Sequence, residues 1–282
     1  MVGHAPKTGR LFFMDVNWSA DRGRFATTPV REWTEEGYSI RDIAVVCGID
    51  SRSVSDYTLM SMFTGGLTDG SVFRRIFDIS ESEAAIVTEV KMANNHHGRI
   101  SALCHIEAMG SVVSGGASGK VCVSDHLTGK RLQTYDLASD CTVASIVSCP
   151  YNTGLFMASC CEPTNELLVF DTRDKCTDAP VLRFGKDDIA ITSRYNRPAW
   201  NMDNGLIFAP AQRFDHNSKV AVVEVWDPRF TKSCATTMST VHGDEGDIFS
   251  VDFTNSARGG RSEMITASEL SIGFSSLSIS NH

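Results

Sequence analysis

The stretch Ala221-Val222-Val223-Glu224-Val225-Trp226-Asp227 decides the fold. It is a β-rich run closed by an aromatic residue and an aspartate. The same ending recurs upstream, as Glu166-Leu167-Leu168-Val169-Phe170-Asp171 and Gly119-Lys120-Val121-Cys122-Val123-Ser124-Asp125. A slightly stretched copy runs from Asp69 through Phe73-Arg74-Arg75-Ile76-Phe77 to Asp78, and a fifth is Gly9-Arg10-Leu11-Phe12-Phe13-Met14-Asp15. The closing aspartates at 15, 78, 125, 171 and 227 are spaced by 63, 47, 46 and 56 residues.

Earlier strand-like runs precede each ending. Ile100-Ser101-Ala102-Leu103 and Ser111 to Gly116 come before Asp125, Val143 to Val147 and Leu155 to Ser159 before Asp171, and Ile43 to Val46 and Leu59 to Gly66 before Asp78. Short β-branched or aromatic runs bounded by Gly, Pro, Asn or Asp read as strands. A period of about 40–45 residues plus loop insertions matches the four strands of a propeller blade. Helical periodicity is scarce, and Arg31 to Glu36, with no apolar face of its own, reads as a loop.

On these residues the chain resembles a WD-repeat β-propeller. Trp226-Asp227 is the literal dipeptide, and Phe170-Asp171, Phe77-Asp78 and Ser124-Asp125 are degenerate versions. His97-Gly98 and His242-Gly243 resemble the His-containing entry to a blade, and Ser114-Gly115-Gly116-Ala117-Ser118-Gly119 resembles a strand end and tight turn. The family's His, Ser/Thr, Asp and Trp hydrogen-bond set is complete in no unit, so packed β-branched and aromatic side chains must carry more of the stability. The fold class expected is all-β, one propeller over 1–282, with a partial unit at 1–37 and units at 38–95, 96–138, 139–186, 187–240 and 241–282. Five and six blades both fit, short of the roughly seven that the resemblance implies. Leu11 to Asp15 looks like a third strand, and in propellers such an N-terminal strand commonly completes the last blade.

The chain has 282 residues, 42% hydrophobic and 21% charged, which is globular rather than disordered composition. Its formal charge of −8, from 26 basic and 34 acidic residues, argues against general nucleic-acid binding. No apolar run approaches the roughly 18 residues of a membrane span, and Met1 to Lys7 lacks a signal-peptide core. The nine cysteines include no Cys-x-x-Cys and read as free thiols of a reducing interior, nucleus or cytoplasm. Asn17-Trp18-Ser19 is a formal glycosylation sequon that this setting leaves as coincidence.

The other motifs yield no chemistry. Ser114 to Val121 fails as a phosphate loop, because Ser114 stands where its first Gly belongs and Val121 where magnesium needs Ser or Thr. His96, His97 and His105 lack partners at metal-ligand spacing. Cys160-Cys161 reads as a strand end, and Asp187-Asp188 and Asp244-Glu245-x-Asp247 as solvated loops. Phe73-Arg74-Arg75-Ile76 resembles the Phe-Arg-Arg-Gly motif of phosphoinositide-binding propellers, with Ile76 in place of Gly. No catalytic residue, cofactor or metal is expected, and the chain is read as non-enzymatic.

Phe170-Asp171-Thr172-Arg173 and Trp226-Asp227-Pro228-Arg229 share the form aromatic-Asp-x-Arg. This looks like the signature of WD-repeat substrate receptors that dock on the adaptor of cullin-RING ubiquitin ligases. The arginine follows the third strand, so it emerges on one face, where its fork can pair with carboxylates or carbonyls. The expected binding residues are therefore Asp171, Arg173, Trp226, Asp227 and Arg229. Arg194, Tyr195 and Arg197 join them from a loop that runs to Trp200 and combines interface-prone residue types. Asp203-Asn204-Gly205 is a turn signal, and Gln212 to Lys219 reads as a polar loop insertion. The function implied is a non-catalytic scaffold for other proteins in a complex, with the cullin-RING receptor as the alternative and a phosphoinositide-binding propeller as a remote one.

Overall fold

The computed structural model describes residues 8–13, 16–19, 24–27, 31–36, 40–45, 59–66, 69–80, 83–93, 96–137, 141–161, 167–174, 179–184, 197–215, 218–239, 248–253, 263–268 and 272–276. Strands β1 (Thr8–Phe13), β2 (Val16–Ser19), β3 (Arg24–Thr27) and β4 (Arg31–Glu36) form two short ladders, β1 with β4 and β2 with β3. Four-stranded sheets follow in sequence order. The first is β5 (Ile40–Val45), β6 (Leu59–Gly66), β7 (Val72–Asp78) and β8 (Ala85–Lys91). The second is β9 (Ile100–Ile106), β10 (Ser111–Gly116), β11 (Lys120–Asp125) and β12 (Arg131–Asp136). The third is β13 (Thr142–Ser148), β14 (Leu155–Cys161), β15 (Leu167–Asp171) and β16 (Leu182–Phe184). The fourth is β17 (Ala199–Trp200), β18 (Ile207–Asp215), β19 (Ser218–Trp226) and β20 (Thr236–Ser239). The three-stranded sheet β21 (Ile248–Phe253), β22 (Glu263–Ser268), β23 (Ile272–Ser276) closes the series. Pairing is antiparallel between sequence neighbours, and the aspartates 78, 125, 171 and 227 end or directly follow the third strand of each four-stranded sheet.

Two compact units divide the chain, residues 1–114 with 122–132 and residues 115–121 with 133–282. In the first, Ala44, Phe63, Val72, Ile100, Leu103 and Val112 form one buried cluster, and Leu11, Trp33, Met62 and Phe77 contribute to another. In the second, Met157, Val169, Phe184, Trp200, Ile207 and Trp226 pack together, beside a cluster around Phe208, Val223, Val251 and Met264. Small residues allow close approach of successive sheets. A Cβ on Gly65 would lie 2.6 Å from Ile100 Cγ2, and one on Gly115 would lie 2.6 Å from Val143 Cγ1.

Three local expectations need correction. Arg31 to Glu36 is a strand, not a loop. Its one large apolar residue, Trp33, pairs with Leu11, is buried, and meets Phe77 edge-on at 5.4 Å. A single indole thus replaces the periodic apolar face that the segment lacks. β1 takes β4 as its partner instead of completing the last sheet, and Asp15 lies outside the described residues. The segment from Gln212 to Lys219 is mainly strand: β18 and β19 pair without a break up to Asp215↔Ser218. A long hairpin accounts for part of the 56-residue spacing.

Candidate docking face

The recurring aspartate is a turn-maker. The backbone N–H two residues on donates to its Oδ1 in each case: Ser80 to Asp78 at 2.9 Å, Leu127 to Asp125 at 3.1 Å, Arg173 to Asp171 at 2.9 Å and Arg229 to Asp227 at 2.9 Å. This Asx-type turn satisfies a donor that leaves the ladder at the strand end. The repeat seen in the sequence therefore marks a backbone requirement first.

Only the last two turns add an arginine fork. Arg173 Nε donates to Asp171 Oδ1 at 2.8 Å and its Nη2 to Oδ2 at 2.7 Å. Arg229 Nε donates to Asp227 Oδ1 at 3.0 Å and its Nη2 to Oδ2 at 2.6 Å. The hydrogen bonds from Arg173 and Arg229 hold the Asp171 and Asp227 carboxyls below the usual carboxylate range. The arginine side chains remain 56% and 80% exposed, against 19% and 12% for their aspartates. Each carboxylate is thus tucked under a guanidinium whose outer edge faces solvent.

Arg173 also has a floor. Its stem lies over Gly154 in the β13–β14 turn, where a Cβ would come within 2.5 Å of Arg173 Nε and 2.8 Å of its Cδ. Thr172 ties the strand end to the same glycine, its N–H and hydroxyl both donating to Gly154 O at 2.8 and 3.0 Å. In that turn, exposed Tyr151 donates its hydroxyl to Gly205 O at 3.0 Å and packs edge-on against Trp200 at 5.9 Å. The 202–204 turn beside Gly205 carries exposed Met202, and the register Ile207↔Trp226 puts that turn at the end of the sheet where Asp227 lies. Phe230, 68% exposed, lies 5.9 Å from the Arg229 guanidinium carbon. The second unit therefore presents Tyr151, Met202, Phe230 and two arginine forks at one end of its sheets.

Of the expected binding residues, Asp171 and Arg173 on one sheet and Asp227 and Arg229 on the next lie at this end. Trp226 does not reach a surface. It is 0% exposed, meets Phe184 at 5.7 Å and supports the face from beneath. Its indole N–H is buried without a hydrogen-bond acceptor. Arg197 stands at the other end of β17, where its backbone bridges β21 through Phe249 O and the Val251 N–H. Arg194 and Tyr195 lie outside the described residues, as do Asp187, Asp188, Asp244, Glu245 and Asp247. Tyr151, Met202, Phe230 and Gly154 had not been singled out. Cys149-Pro150-Tyr151-Asn152-Thr153-Gly154 carries a turn signal, but nothing local says that Tyr151 faces outward.

The remaining motifs resolve into structure. Gly119 has φ 66°, the left-handed conformation that the 117–119 turn requires. His96, not His97, reaches Ser114 Oγ, at 2.9 Å. His105 Nε2 and His126 Nδ1 are 3.0 Å apart while their ring centroids are 5.3 Å apart, so the rings meet edge to edge rather than face to face. Cys160 and Cys161 end β14, buried and unbridged. Arg75 is 1% exposed, donates to Glu89 at 2.7 Å and lies 4.9 Å from the Trp33 and Phe73 rings, so the Arg74-Arg75 pair does not offer two arginines to a phosphate. Among the described residues no three His, Cys, Asp or Glu side chains converge as a metal site, and no helix is long and apolar enough to cross a membrane.

No protein-family model matches the chain, and no curated protein matches it in sequence. Solved structures match it in fold. The β-propeller domain of Cps50 (Swd1) from Myceliophteria thermophila superposes with a TM-score of 0.50 at 17% identity, over 74% of this chain and 59% of that one. A chain of the Mitotic Checkpoint Complex superposes with a TM-score of 0.58 at 12% identity, over 94% of this chain and 75% of that one. The fold is that of a β-propeller. The chain spans 59% of the Cps50 propeller's length, so it is similar to part of that domain.

Proposed function

We propose that this propeller is a non-catalytic scaffold that holds other proteins in a multiprotein complex. The observation that supports it is the concentration of exposed Tyr151, Met202 and Phe230 beside two oriented arginines at one end of the second unit. Aromatic residues and arginine are the side chains that anchor interfaces, and exposed apolar clusters on a folded chain mark contact surfaces. One of the structures it resembles is itself a multiprotein assembly. The test is quantitative pull-down from lysate with wild type and the Arg173→Ala/Arg229→Ala variant. A fixed set of proteins lost only with the variant supports the reading. Identical capture by both would move the docking surface elsewhere.

The exposed forks on consecutive sheets favour one finer reading, a substrate receptor that docks the adaptor of a cullin-RING ligase through its two aromatic-Asp-x-Arg ends. In that case the adaptor and cullin co-purify with wild type and vanish with the double variant. Their absence from the wild-type set would end it.

A further inference from the structure

The two adjacent arginines of β7 face opposite ways. Residues 72, 74 and 76 alternate with 73, 75 and 77 along the strand, so the two sets lie on opposite sides of the sheet. Val72 packs with Phe63, Ile100 and Leu103, so its side meets β9 of the second sheet. Phe77 packs with Leu11 and Trp33, so the other side meets the β1–β4 ladder. Arg75 lies on that second side, over the Trp33 ring, with Glu89 against its Nε. Arg74 lies on the side of the second sheet. Its Nε is buried there without a hydrogen-bond partner, and among the described residues no carboxylate pairs with it. A buried donor left unmade is uncommon in folded chains, and an uncompensated half-buried charge costs stability.

The surroundings of Arg74 follow from the pairing. Phe63 is its direct cross-strand partner, on the same side of the sheet. The Phe63 ring lies 5.7 Å from that of His105, and His105 Nε2 lies 3.0 Å from His126 Nδ1. Burial and then His126 hold the His105 ring below its ordinary value; Arg74 adds to this and exposed Glu107 opposes it. Asp42, on β5, accepts the Leu103 N–H at 2.7 Å. Arg74, His105 and His126 are each half-buried. The rim is apolar: the His126 N–H donates to Gly110 O at 2.9 Å, and the residues that flank this bond, Met109 and Leu127, are 38% and 59% exposed.

We infer that Arg74, with His105 and His126 beside it, receives an acidic side chain of a partner segment, whose adjoining apolar residue covers Met109 and Leu127. The guanidinium supplies N–H donors to the carboxylate. One arginine matches a monoanion, and folding disfavours a second charge at His105, so a phosphate dianion fits poorly. A free small acid would leave Met109 and Leu127 uncovered, which selects a chain segment. This docking point goes beyond the arginine forks of the second unit and does not depend on them.

The probe is a displayed library of short random peptides, selected on the purified chain and counter-selected on Arg74→Met. Enriched peptides should carry Asp or Glu next to a large apolar residue, and changing that acid to its amide should weaken binding about tenfold or more. Arg74→Lys, which keeps the charge and loses the fork, should weaken it about tenfold. Arg74→Met should abolish binding while its denaturant midpoint stays level or rises, because an uncompensated charge is removed. Binding should tighten as pH falls from about 7.5 to about 6, since the bound carboxylate favours proton uptake at His105, and His105→Gln should bind without that pH dependence. A lower midpoint in Arg74→Met would make Arg74 structural and overturn the inference. So would a selection that yields no acidic peptide, or peptides held equally by Arg74→Met. Thermal stabilisation of the wild type by inorganic phosphate beyond that by acetate at equal ionic strength would assign the site to phosphate and overturn the carboxylate partner.

Discussion

The strand ends of the first unit, Asp78 and Asp125, and those of the second, Asp171 and Asp227, share one backbone device and differ in what stands two residues on. All four accept the i+2 backbone N–H. In the first unit Ser80 and Leu127 occupy that position, and Asp125 completes its hydrogen bonding with Thr128 Oγ1 at 2.7 Å. In the second the position is arginine, and the aspartate that makes the turn also holds a guanidinium at the surface. The difference separates what the fold needs from what it displays. A strand end requires the aspartate, and nothing in the turn requires the arginine.

The largest expected effects come from the packing common to both units. Gly65→Ala and Gly115→Ala each force a Cβ against a buried β-branched side chain, Ile100 or Val143, at 2.6 Å. Overpacking of that kind costs about 1–3 kcal/mol, read as a lower denaturant midpoint. Gly154→Ala tests the contrast, since its methyl meets only the flexible end of Arg173, and its midpoint should stay at the wild-type value. A loss as large as that at Gly115 would mean that Gly154 serves the backbone and not the fork.

Next in size is removal of the turn itself. Asp125→Ala and Asp171→Ala each orphan backbone donors and should each cost about 1 kcal/mol, as loss of a helix cap does. Similar costs are expected in spite of the Arg173 ion pair, because an exposed pair of this kind is screened by water. If Asp171→Ala costs several times more than Asp125→Ala, the fork is structural and the division drawn above fails.

Acid should distinguish the units further. In the first, burial and then the adjoining His126 hold the His105 ring below its ordinary value of 6.5, with Arg74 adding in the same direction and Glu107 opposing. The neutral His105 ring is favoured by folding, so this contribution is complete above 6.5 and is lost as pH falls through the lowered value. In the second unit the carboxyls of Asp171 and Asp227 are lowered from 3.8 by their arginines, so that contribution persists down to the ordinary carboxylate range and disappears below it. Amide exchange followed against pH should show β9 and β11 loosening in the milder window and β15 and β19 in the more acid one. Simultaneous loosening would show that neither pair controls its own sheet.

Much of this was legible in the chain because blades repeat. The spacing of Asp78, Asp125, Asp171 and Asp227 located four third strands, and the aromatic-Asp-x-Arg form located both forks. Local pattern failed where partners are remote. β4 contains one apolar residue of consequence, and only its pairing with Leu11 and its approach to Phe77 make it a strand. Trp226 stood among the expected binding residues because the dipeptide draws attention, whereas the run Val222 to Trp226, apolar except for Glu224, belongs inside. Tyr151 went unnoticed for the opposite reason. Its exposure follows from the bond to Gly205, 54 positions away, which no window of sequence contains.

The smallest expected effect is the most informative about function. Arg173→Ala and Arg229→Ala remove exposed side chains from turns that keep their aspartates, so the unfolding midpoint of the double variant should coincide with wild type while capture of partners is lost. The reciprocal change is Leu127→Arg, which puts arginine at the matching position of the first unit. Asp125 Oδ1 there already accepts from Leu127 N, Thr128 N and Thr128 Oγ1, so the new guanidinium competes for a crowded oxygen and should not be clamped as Arg173 is. Leu127→Arg should therefore leave both stability and partner capture at the wild-type level. If it instead restores capture to the chain lacking Arg173 and Arg229, charge at a strand end is sufficient, and the ordered fork of the second unit is not what partners recognise.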